Sequence, residues 1–265
     1  MGLSNAMFNG VSGLNTFSTA LSIVSDNISN ANSTGYKSNS GLFGDLVSGY
    51  MATQSVDTES QGAGSDLLGV ATDFSTGPTL QTGTWSNAMI QGNGFFSVKD
   101  ANGVTSYTRD GSFRMDANGF LTNMQGDQVL GSDGNPIQIE ANPATPVYTS
   151  YNIQEGTGNI YGTLPGGTST VLIGTLRVST FPNQEGLIRK GNNLFTLGAS
   201  AGAPIDSTGG VGQAGTIVSG AIEGSNVDLG KEMVNMIIDQ SDYSANSKTI
   251  TTADEMLQTV TNIIR

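Results

Sequence analysis

The run NVDLGKEMVNMIIDQSDYSANSKTITTADEMLQTVTNIIR, residues 226–265, decides the fold. Leu229, Met236, Tyr243, Ile250, Leu257 and Ile264 recur one heptad apart, and Met233, Ala253 and Val260 stand close to members of that row. No Pro or Gly interrupts the run after Gly230. This spacing predicts a long helix with one narrow apolar seam, the kind that packs against another helix. At about 1.5 Å per residue such a helix reaches roughly 55 Å, more than a compact domain of this size needs. The seam is therefore expected to meet something beyond the globular part of its own chain.

A partner is legible at the other end. Met7, Leu14, Leu21 and Ile28 form a second heptad row, and Leu3, Phe17 and Val24 form its companion, with Gly10 in the remaining place. Gly10 and Gly13 each weaken a helix by roughly 1 kcal/mol relative to Ala, so this helix is expected to need a partner. Two narrow seams at opposite ends of one chain predict that they pack together. Because nucleating a helix is costly and ordering each residue costs about 1–2 kcal/mol, both are expected to be largely disordered in a lone copy and to become helical when copies associate, with an intramolecular hairpin stable in one copy as the alternative.

Between these ends the pattern changes twice. Residues 38–84 are rich in Gly, Ser and Thr and read as an extended connector, with Gln54–Ser65 its least ordered part. From Ala88 short apolar runs alternate with turn signals. Phe95, Phe96 and Val98 lead into Asp100-Ala101-Asn102-Gly103, and Phe113 and Met115 into Asp116-Ala117-Asn118-Gly119. Val129 and Leu130 lead into Ser132-Asp133-Gly134-Asn135-Pro136. Asn-Gly and Asp-Gly pairs between such runs are hairpin turns. The expectation is an α+β chain: residues 1–37 with 226–265 as a terminal helical domain in a coiled-coil-like pair, 38–84 as connector, and 85–225 as one β-rich domain.

Composition excludes several kinds of chemistry. The chain has 265 residues with no Cys and no His, which removes disulfides, thiol nucleophiles and imidazole bases or metal ligands. Net charge is −12 and the basic residues are scattered, so nucleic acid and anionic lipid are poor partners. Charged residues make up 12% of the chain, about half the usual share, and a surface of small polar groups suits dense packing against neighbours. No apolar run reaches a membrane span, and residues 1–12 lack the basic start and continuous apolar stretch of a cleaved signal peptide. The Asp and Asn pairs at residues 100–102, 116–118 and 133–135 fail the calcium-loop spacing and read as turns. Gly92-Asn93-Gly94 lacks the third Gly of a dinucleotide fingerprint. No catalytic, cofactor or metal residues are expected.

Asp26-Asn27-Ile28-Ser29-Asn30-Ala31-Asn32-Ser33-Thr34-Gly35-Tyr36-Lys37 ends the first helix, and here a family resemblance enters. The segment is similar to the signature of the bacterial flagellar axial proteins, the rod and hook family, with Asp26 and Ser29 as small departures. Asn27, Asn30, Thr34, Gly35, Tyr36 and Lys37 carry the match. Asp73-Phe74-Ser75-Thr76-Gly77, Ile90 to Phe96, Tyr107 to Phe113, Asp116 to Leu121, Phe181 to Leu187, Gly191 to Phe195 and Gly220 to Ile237 resemble further segments of the family. Ser86 to Met89 and Ser241 depart from its pattern, and the likeness fades between Asn135 and Gly174. The resemblance implies a non-enzymatic structural subunit of the flagellar hook that polymerises into a helical tube and transmits motor torque, with a distal rod subunit as the alternative. It implies partners that are copies of itself and adjoining rod, hook or junction proteins, with no membrane insertion. It also implies a place in the flagellum outside the cytoplasm, reached through the flagellum's own export system. The seam residues Leu3, Met7, Leu14, Phe17, Leu21, Val24, Ile28, Leu229, Met233, Met236, Tyr243, Ile250, Leu257, Val260 and Ile264 are expected to carry assembly. A more distant reading is a soluble glycan-binding module.

Overall fold

A computed structural model describes residues 2–47, 62–140, 147–167 and 169–263. The architecture is α+β. Two long helices, α1 (Gly2–Ser29) and α2 (Leu229–Ile263), flank a central region rich in short strands. The chain forms two compact units: residues 1–31, 38–73 and 227–265 make the first, and 32–37 with 74–226 make the second.

In the first unit α1 packs along α2 and along a two-stranded antiparallel ribbon. The ribbon pairs β1 (Asn39–Val47) with β2 (Gly62–Thr72), from Asn39 opposite Thr72 to Val47 opposite Gly62, with register shifts after Leu42 and after Asp45. Part of the expected connector is thus folded as strands, and residues 54–61 of its expected least ordered part lie outside the described residues. The physical reason is long-range bonding. Ser12 Oγ donates to the Ser65 carbonyl at 2.5 Å and accepts from the Ser65 amide at 2.8 Å, and Thr16 Oγ1 donates to the same carbonyl at 3.0 Å. Small polar residues that read as linker are here hydrogen-bonding partners for a helix.

The two helices come closest at glycines. A Cβ on Gly10 would lie 2.8 Å from Ile250 Cγ1, and one on Gly13 would lie 2.9 Å from the Asn246 side chain. Among the described residues the buried positions of α1 are Gly10, Gly13, Thr16, Ala20, Val24 and Asn27, mostly small residues, of which Gly10 and Val24 belong to the companion heptad row. At the start of α2 the Asp228 carboxylate accepts from the Gly230 and Lys231 amides at 3.0 and 3.2 Å, an N-cap that satisfies otherwise orphaned donors.

The second unit is built on a nine-stranded antiparallel sheet. After the short β3 (Thr79–Gln81) and β4 (Ala88–Gln91), its central strand is β5 (Phe95–Lys99), which pairs on one side with β6 (Thr105–Thr108). The other side of β5 is shared between Val178–Thr180 and Gln128–Val129. A separate three-stranded sheet joins Ser150–Ile153, Asn159–Thr163 and Thr170–Thr175. Near the end of the unit Thr216–Ser219 pairs with β4, and Ala221–Glu223 pairs with β3. The main core gathers Ile90, Phe96, Val98, Leu121, Val129, Ile160, Leu176 and Val178, all fully buried. A second, aromatic cluster stacks Phe95 against Phe74, Phe181 and Phe195 at 5.5–5.8 Å between ring centres. Turn chemistry accounts for the Asp-rich loops. Asp100 Oδ1 accepts the Asn102 and Val104 amides at 2.9 Å, and Asp116 Oδ1 accepts those of Asn118 and Phe120 at 2.9 and 2.7 Å.

Candidate functional site

The motif that closes α1 is divided between the two units, and each part sits in a polar node. In the first unit Asn27 is buried on α1. Its amide donates to the Asn39 carbonyl at 2.8 Å, and its carbonyl accepts the Asn39 amide at 2.9 Å. The same amide reaches Glu232 Oε1 on α2 at 3.3 Å, and the Thr72 hydroxyl donates to Asn39 Oδ1 at 2.9 Å. The Asn27 side chain therefore ties α1 to the first ribbon strand and to the first turn of α2, and Asn39 carries the link on to the second strand. Asn30 has a local role, donating to the Asp26 carbonyl at 2.9 Å and to its carboxylate at 3.0 Å.

In the second unit Thr34 to Lys37 lie against the β-region. The Thr34 carbonyl accepts the Asn193 side-chain amide at 2.7 Å, and Asn193 itself holds a φ of 56°, a left-handed conformation that Asn tolerates. Gly35 has a φ of +65°, and a Cβ there would lie 2.5 Å from the Asp110 backbone nitrogen, so only glycine fits. Tyr36 is buried, with the Arg189 guanidinium 5.0 Å from its ring centre.

Lys37 is as deeply buried as Tyr36. Its ammonium donates to Glu223 Oε1 at 2.6 Å and to the Ser75 carbonyl at 2.6 Å, with no exposure of either charged side chain. Glu223 Oε1 also accepts the Gly77 amide at 2.8 Å, while Oε2 faces the Arg109 guanidinium at 3.5 Å. Arg109 donates to the Gly92 carbonyl at 2.8 Å and lies over the Phe95 ring at 5.2 Å. Burial pushes the Arg109 guanidinium below its ordinary value, and the Glu223 carboxylate opposes that shift. Two buried cations thus share one carboxylate, whose backbone carbonyl also accepts the Gly35 amide at 2.8 Å. Glu223 and Arg109 were legible only as members of matching segments; nothing in local spacing pairs Lys37 with a residue 186 positions away.

The heptad residues are placed differently. Met7, Leu14, Phe17, Leu21 and Ile28 are half-buried and Val24 is buried. On α2, Met236 and Ile250 are half-buried, whereas Leu229, Met233, Tyr243, Leu257 and Val260 are exposed. Val234, Ile237, Ile238, Met256 and Ile263 are exposed as well. The half-buried side of α2 is largely polar, with Glu232, Asn235, Asp239, Asp242 and Asn246. Ile264 lies outside the described residues, as does the side chain of Leu3. Among the described residues no group of three or more acidic, His or Cys side chains could hold a metal ion, and no helix is long and apolar enough to cross a membrane.

Three family descriptions match successive stretches. They are "Flagella basal body rod protein" over residues 7–37, "Flagellar hook protein FlgE/F/G D1 domain" over 89–161, and "Flagellar basal body rod FlgEFG protein C-terminal" over 218–263. The flagellar basal-body rod protein FlgG of Bacillus subtilis is 33% identical over 269 residues, covering 98% of this chain and 99% of the relative. That of Buchnera aphidicola from Schizaphis graminum is 34% identical, covering 95% and 96%. The flagellar hook protein FlgE of Escherichia coli K12 is 26% identical over 409 residues, covering 97% and 100%. With identity of this order along nearly the whole length of both chains, the protein belongs to the flagellar rod and hook protein family, the structural subunits of the bacterial flagellum.

Proposed function

We propose that the chain is an axial subunit that polymerises through its terminal helices into a helical tube and transmits torque. The observation that carries this is the apolar exposure of α2. Ile237 is 65% exposed, Val234 55%, Val260 53% and Ile263 78%. Fully burying such a side chain stabilises by about 1.5–3 kcal/mol, so covering what α2 leaves open is worth several kcal/mol per copy. The exposed apolar residues of this 35-residue helix gather mainly near its two ends, Leu229 to Ile238 and Met256 to Ile263, and such patches are built to be covered. Copies of the same chain are the fitting cover, because α1 offers a complementary half-buried row and a head-to-tail contact that does not close generates a filament. The coiled-coil-like seam of Met7, Leu14, Leu21 and Ile28 with Met236, Tyr243, Ile250 and Leu257 then belongs to the polymer.

Within the flagellum the distal rod is the favoured position. The rod relatives match at equal length and higher identity, whereas the hook relative aligns over 409 residues against 265 here. The hook is the second reading, favoured by the full coverage of that hook protein. Adjoining rod, hook or junction proteins are the further partners, and the family's own export route delivers the chain outside the cytoplasm. Electron microscopy of the polymer in cell envelopes tests this. A straight tube inside the envelope is expected, a curved external one makes it the hook, and no tube from the full chain overturns the axial reading.

A further inference from the structure

The chain passes between its two units after Ala31, Lys37, Asp73 and Asn226. On the β-rich side, the residues flanking these crossings are bonded to one another. The Gly35 amide donates to the Glu223 carbonyl at 2.8 Å, and the Gly224 amide donates to the Pro78 carbonyl at 2.8 Å. Lys37 reaches both Glu223 and Ser75. Asn226 Nδ2 donates to Ser75 Oγ at 3.2 Å. Gly77 sits so close to Gly224 that an added Cβ would lie 2.2 Å from its carbonyl oxygen.

We propose that Lys37, Glu223 and Arg109 form a single cooperative clamp that holds all the chain crossings of the β-rich unit together and opens only as a whole. The inference rests on the axial reading above and gives it a mechanism, since torque carried along the terminal segments must enter this unit at the crossings. The shared acceptor supplies the cooperativity. One carboxylate serves two cations and one backbone amide with no solvent at either ion pair. Without Glu223 two buried cations face each other with no counter-ion, and without Lys37 the carboxylate keeps only the Gly77 amide and the longer Arg109 contact while the Ser75 carbonyl loses its donor, so partial closure is worse than full closure or full opening. A buried ion group adds little stability over apolar packing, but it strongly penalises a wrong neighbour. That property suits a joint where distant segments, residues 34–37, 75–78, 109 and 223–226, must meet in one arrangement.

Residue-resolved amide exchange on the full chain tests the clamp, with Lys37→Met and Glu223→Gln as variants. The amides of Gly35, Gly77 and Gly224 are the probes, and those of Phe96 and Val98 report the core. In both variants the three probes are expected to exchange at least tenfold faster, by the same factor, with the core unchanged. Acceleration confined to whichever amide lies nearest the substituted side chain overturns the proposal, and so does acceleration of the core together with the probes, which would make the cluster a general folding determinant. Sedimentation of the unsubstituted chain is measured alongside. Failure of that chain to polymerise counts against the axial reading, while the exchange pattern still decides the clamp.

Discussion

Glu140 shows what a buried carboxylate does in this protein away from the charged clamp. It is 2% exposed and accepts the Val147 and Tyr148 amides at 3.1 Å and the Tyr151 hydroxyl at 2.5 Å. Burial alone would raise its carboxyl, but the hydrogen bonds from Tyr151, Val147 and Tyr148 together hold it below the ordinary glutamate range. Burial, and then the Glu140 carboxylate, push the Tyr151 hydroxyl up in turn. A depressed folded-state value means that the stability Glu140 contributes is fully present above its unfolded value, about 4.3, and is lost as pH falls through the lower folded one. Trp85, the sole tryptophan, stacks on Tyr151 at 4.8 Å and reports the site directly. On acidification below about pH 4 the Trp85 fluorescence is expected to change, and Glu140→Gln should show the acid-state signal already at pH 7. An identical acid transition in the variant would assign the change to another group.

At the scale of the element, α2 carries the larger consequence. Leu257 is 40% exposed and lies on the heptad row, so Leu257→Asp should leave the fold of the β-rich unit intact while abolishing polymerisation. A charge in a covered seam costs several kcal/mol per copy, enough to shift the critical concentration by orders of magnitude; the readout is pelletable polymer against soluble chain. Periodicity made this helix legible because a seven-residue rhythm survives without any knowledge of its partner. The same rhythm could not show that the side turned toward α1 carries Glu232, Asn235, Asp239 and Asn246 with the small Ala253. Nor could it show that Gly10 and Gly13 act as close-approach points rather than as weaknesses. The β1–β2 ribbon was hidden for a related reason. Its pairing depends on bonds from Ser12 and Thr16 to Ser65, some 50 positions away, and its Gly- and Ser-rich composition reads as linker.

For the whole molecule, turn signals and alternating runs made the β-rich region legible from Ala88 onward, and the motif at Asn27–Lys37 made the family legible. Sequence spacing reaches only neighbours along the chain, so it could not show that residues 32–37 fold with the β-rich unit and residues 38–73 with the helices. Sister copies are expected to cover the exposed apolar residues of α2, Val260 among them. Because the chain has no Cys, a single Val260→Cys substitution gives a unique thiol among these residues, and labelling with a maleimide probe before and after polymerisation measures its cover. Rapid labelling of the lone chain and at least tenfold slower labelling of the polymer are predicted; equal labelling in both states would contradict the claim.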